Sequence, residues 1–115
     1  MQEISLIIDS QYSSRMIMMF RKSIEKRLLE ISSRIKKEKE DLLVAEEQLT
    51  SLINDADEAR IRSLVSETAF SDNERRGSAR QAENMENYCQ KILNEIYRLE
   101  EMQDELLDKF KLENK

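Results

Sequence analysis

Residues 28–59 read LLEISSRIKKEKEDLLVAEEQLTSLINDADEA, and the spacing of their apolar residues decides the fold. Leu28, Ile31, Ile35, Leu42, Ala45, Leu49, Leu52, Ala56 and Ala59 recur at alternating steps of three and four, with Glu38 in the one interrupted position. Such steps keep a stripe on one side of a helix, and the seven-residue period is that of helices packed lengthwise. Upstream, Ile17, Phe20, Ile24 and Leu28 step three, four and four, which moves the stripe around the helix as a stutter does. Downstream, Ala82, Met85, Cys89, Ile92, Ile96, Leu99, Gln103, Leu106 and Phe110 form a second seam of the same period. The chain has no Pro and one Gly, so little along either seam breaks a helix. The expectation is an all-α fold, a long antiparallel helical hairpin of coiled-coil type. Its first helix spans 11–69 and its second 82–113. Asn54 could cap a new helix ahead of the acidic Asp55, Asp57 and Glu58, which would make the unit three-helical. The heptad crosses this point without a phase shift, which favours one continuous helix.

Between the seams lies FSDNERRGSARQ, residues 70–81, which contains Gly77 and reads as a polar loop. It offers two capping boxes for the second helix, Ser71-x-x-Glu74 and Ser78-x-x-Gln81. A reversal near residue 75 lets the second helix reach back only to about residue 37, at about 1.5 Å per residue. Residues 11–36 would then be an unpaired arm, and they are the most apolar part of the chain. Each such side chain left in water forgoes about 1.5–3 kcal/mol of burial, so a partner is expected to cover it. The residues assigned to that contact are Met16, Ile17, Met19, Phe20, Ile24, Leu28 and Ile31. Arg21, Lys22, Lys26 and Arg27 flank them and would steer an acidic partner.

Composition narrows the function. The 115 residues contain no His and a single Cys, Cys89, which removes imidazole catalysis, His metal sites and an internal disulfide framework. With one Gly there is no phosphate-cradling loop. No catalytic residue, cofactor or metal is therefore expected, and the chain reads as a binding protein rather than an enzyme. Lys and Arg number 19 against 24 Asp and Glu, a net charge of −5 that argues against nucleic acid as a partner. The charge is uneven: residues 1–39 hold nine basic and five acidic residues, and 40–115 hold ten basic and nineteen acidic. Two copies, or one copy and a different acidic helical protein, could bring the basic arm against acidic helices, giving a homo- or hetero-oligomer. The longest uncharged apolar run is Met16 to Phe20, far short of the roughly 20 residues of a membrane span. No signal-peptide pattern opens the chain, so a cytoplasmic protein is expected, with export alongside its partner as the alternative.

Tyr97-Arg-Leu-Glu-Glu101 matches an aromatic-x-x-x-acid motif, and Phe70-Ser-Asp-Asn-Glu74 matches it loosely. With its size and hairpin pattern, the chain resembles the small helical targeting partners of LXG toxins and the WXG-like proteins of type VII secretion. It lacks the Trp-x-Gly of the WXG loop. The resemblance implies a targeting chaperone that lies beside a secreted helical toxin, with Tyr97 and Glu101 as export motif. The export-stalk proteins of flagellar and type III secretion share the two-helix outline, and a structural coiled-coil tether is the competing class.

Overall fold

The structure is a computed structural model that describes the backbone of residues 2–113 and the side chains of 14–112. It is all-α, with helix α1 over Gln2–Ser66 and helix α2 over Ala69–Glu113. The fold is thus the helical hairpin that the seams predict. α1 runs through Asn54 without a break, so the three-helix alternative is not formed. The helix also begins well before residue 11; side chains 11–13 of the predicted arm lie outside the described residues.

The reversal is where the sequence misleads. Residues 70–81 are not a loop but the first turns of α2, and the connection is only Glu67 and Thr68. Glu67 adopts φ 48°, the left-handed conformation that ends a helix. Its amide still bonds Ser63 O at 3.1 Å, the last rung of α1. Thr68 then caps α2. The Ser71 amide donates to Thr68 Oγ1 at 3.1 Å, and the Thr68 amide donates to Ser71 Oγ at 3.3 Å. This is a capping box with Ser in the fourth position, so Ser71 closes the box rather than opening one. The charged residues that read as loop satisfy one another on the helix surface. Arg75 donates to Asp72 Oδ1 through Nη2 at 2.9 Å, and Arg76 Nη2 lies 3.0 Å from Asp72 Oδ2. Gly77 sits in the helix interior with nothing within 4 Å of where a Cβ would stand.

The chain divides into two compact units, Met1–Ile35 with Arg98–Lys115, and Lys36–Tyr97. In the first, Ile24, Ile31 and Ile35 of α1 are buried with Leu99 and Leu106 of α2, and Leu28, Met102 and Phe110 pack against them. In the second, Ala45 is buried with Cys89, Ile92 and Ile96, flanked by Leu42, Leu49 and Met85. The helices pair antiparallel within each: Arg21 meets Phe110 and Ser32 meets Gln103 in one, while Arg62 lies beside Glu74 in the other. Every seam position of residues 28–59 and 82–110 is buried or half-buried.

This corrects the unpaired arm. Because α2 begins at 69 rather than 82, its far end covers α1 back to Arg21. Ile24 and Ile31 are buried and Leu28 is half-buried by the chain's own second helix, so they are not free for another protein.

Candidate protein-binding surface

α1 carries an exposed apolar collar ahead of the packed core. Among the described residues the most N-terminal buried side chain of α1 is Ile24, 3% exposed, and N-terminal to it Met16, Ile17, Met18, Met19 and Phe20 are 42–72% exposed. α1 is helical there, so the five side chains spread around the whole circumference rather than along one side. Of the predicted partner-binding residues, the structure therefore groups Met16, Ile17, Met19 and Phe20 at the surface and takes Ile24, Leu28 and Ile31 into the core.

The basic residues divide in the same way. Lys22, Lys26 and Arg27 are exposed and hold positive charge beside the collar. Arg21 is half-buried, and its guanidinium lies 5.5 Å from the centre of the Phe110 ring. It seals the end of the core by a cation–π contact, a role that steering alone does not describe. Tyr97 and Glu101 are both exposed on α2. Phe70, of the looser match, is exposed as well, on the first turn of α2.

Two polar seam residues behave differently. Gln103 is half-buried and donates from Nε2 to Ser32 Oγ at 3.0 Å, a cross-helix bond that ties the register of the pair. Glu38 is half-buried on the seam, in the middle of a charge run whose other charged members are exposed.

Asp72 and Cys89 are both shifted from their ordinary values by their surroundings. The Arg75 hydrogen bond holds the Asp72 carboxyl below the usual carboxylate range, with Arg76 adding to the effect. Cys89 is buried against α1, and loss of hydration pushes its thiol up, helped by the negative charges of Glu46 and Glu86. A thiol shifted this way is a packing group and a poor nucleophile.

Met18 and Leu29 belong to the apolar arm by sequence but not to its assigned contact residues, and both are strongly exposed. Leu29, with Glu25, Leu28, Ser32, Leu107 and Phe110, lines a groove of about 350 Å³ beside the helix pair. Their signal was present: each stands one residue past a seam position, where an apolar side chain has no place in a solvated two-helix pair. Among the described residues, no helix is long and apolar enough to cross a membrane. No protein-family model, curated protein or solved structure matches the chain.

Proposed function

We propose that the protein is a non-catalytic adaptor, a targeting chaperone that packs its apolar collar onto a helical partner. One observation carries this reading: five consecutive apolar residues, Met16 to Phe20, stand exposed on α1 just ahead of the turn where Ile24 is packed into the core. Three of the five are methionines, whose flexible thioethers re-pack against differently shaped surfaces. Lys22, Lys26 and Arg27 favour an acidic partner and speed its approach. The resemblance to LXG-toxin partners makes a secreted helical protein the cargo and cytoplasm the place of loading. The exposed Tyr97 and Glu101 would then be read by the export machinery.

The test is co-expression with a helical protein encoded beside it, followed by co-purification. Met16→Lys with Met19→Lys is expected to abolish the complex, and Tyr97→Ala to leave the complex intact while stopping export. A complex indifferent to the two lysines would reject the collar as the binding surface.

A further inference from the structure

A second stripe runs along α1, one residue out of step with the buried seam. Arg15, Met18, Lys22, Glu25, Leu29 and Ser32 recur at steps of three and four, so they share one side of the helix, and all six are exposed. A one-residue offset is about 100° of helical rotation, so this side lies roughly a quarter turn from the side that α2 covers. Grooves follow it throughout. One of about 250 Å³ is lined by Arg15, Met18, Met19 and Lys22, and one of about 180 Å³ by Met18, Arg21, Lys22 and Glu25. The groove of about 350 Å³ beside Leu29 continues the series, so every stripe residue borders at least one of the three.

The order of residues along the stripe is self-complementary in the antiparallel sense. Reversed about a point between Ser23 and Ile24, Lys22 falls on Glu25, Met18 on Leu29, and Arg15 on Ser32. Each cross-pair is then basic with acidic, apolar with apolar, or basic with hydroxyl. A parallel match would set Lys22 on Lys22 and Glu25 on Glu25, so charge chooses the direction. We propose that a second copy of the chain docks antiparallel along this stripe, setting Lys22 against the partner's Glu25 and Met18 against the partner's Leu29, each twice about a two-fold axis. The Met18 side chain fills the groove between the partner's Leu29 and the partner's Leu107, next to the partner's Phe110. An isologous contact of this kind closes on itself and stops at two copies. It does not depend on the adaptor reading. By helical phase Met16 and Phe20 point away from the stripe, so a dimer would still offer them to another protein.

Light scattering and sedimentation equilibrium of the full chain over a wide concentration range test this. The wild type is expected at twice 13.7 kDa at high concentration, dissociating on dilution. Lys22→Glu and Glu25→Lys each place two like-charge pairs in the contact and are expected to weaken dimerisation roughly tenfold or more. The double variant Lys22→Glu/Glu25→Lys is expected to restore it, and circular dichroism should show unchanged helix in all three. A wild type that stays monomeric overturns the proposal. So does a dimer insensitive to the single changes, or a double variant as weak as the singles. Met18→Cys/Leu29→Cys gives an independent check. Eleven positions apart, at about 16 Å, these thiols cannot bridge within one helix, so mild oxidation should give a covalent dimer. Neither single cysteine variant should do so efficiently, and failure of the pair to cross-link counts against the register.

Discussion

Gly77 lies inside α2 in an ordinary helical conformation, with open space where a side chain would be. Glycine there spends backbone entropy on folding and contributes no contact in return. Gly77→Ala is therefore expected to stabilise the protein by about 0.5–1 kcal/mol, read as a raised denaturant midpoint with unchanged slope. Cys89 poses the opposite case, a side chain whose packing sets its chemistry. Its thiol pKa is raised in the folded chain, so the neutral form is the one that folding favours. The stability this lends is fully present below the unfolded thiol's pKa and is lost as pH rises through the higher folded value. Alkylation of native Cys89 should accordingly lag well behind that of the denatured chain at pH 8, and the two should converge only at strongly alkaline pH. Equal rates at pH 8 would show that the thiol is neither buried nor shifted. Asp72 sits on the acid side of the same logic. Its lowered pKa gives a contribution present above the ordinary carboxylate range and lost as pH falls through the depressed value.

At the scale of the element, both ends of the helices meet at Glu67 and Thr68, and each residue carries a separable effect. Glu67 adopts a left-handed conformation that an L side chain resists by about 1–2 kcal/mol, so Glu67→Gly is expected to raise stability by up to about 1 kcal/mol. Thr68→Ala removes the acceptor for the Ser71 amide and should cost about 1 kcal/mol. Thermal or urea unfolding of both variants checks the pair, and opposite signs are the expected result. This corner is also where sequence and structure part company. The seams were legible because a period of seven, repeated through Leu28 to Ala59 and Ala82 to Phe110, has few other physical readings. The turn was not, since its capping box is Thr68-Ala69-Phe70-Ser71, with Ser in place of the usual Glu or Gln. The Asp, Asn, Glu, Arg and Gly that follow have the composition of a loop; only the pairing of Asp72 with Arg75 and Arg76 reveals them as an exposed helix face. A thirteen-residue error in the start of α2, 69 instead of 82, then moved three of the seven predicted contact residues, Ile24, Leu28 and Ile31, into the core. The collar residues survived that shift because they lie past the end of α2 with the reversal either near 75 or at 67–68.

Across the whole molecule, burial is uneven along α1, and that unevenness predicts where the helix opens. Isolated helices are marginal in water, and most helical stability in proteins comes from packing an apolar side. Ile24, Ile31 and Ile35 supply that packing together with Leu99 and Leu106, whereas residues 14–20 are exposed on every side. Opening α1 over residues 14–20 therefore breaks helical hydrogen bonds without exposing buried apolar surface of that segment, while opening beyond Ile24 must disrupt the core. Hydrogen exchange of the full chain, diluted until it is monomeric, should thus show fast exchange over 14–20. Protection should be far stronger over 24–35 and 99–106, approaching that of global unfolding. Raising the concentration should slow exchange around Met18 through self-docking, and a collar partner should slow it further at Met16 and Phe20. If residues 14–20 of the monomer exchange as slowly as 24–35, some part of the same chain already covers them. Neither the collar nor the stripe would then be an open surface, and both proposals would fall together.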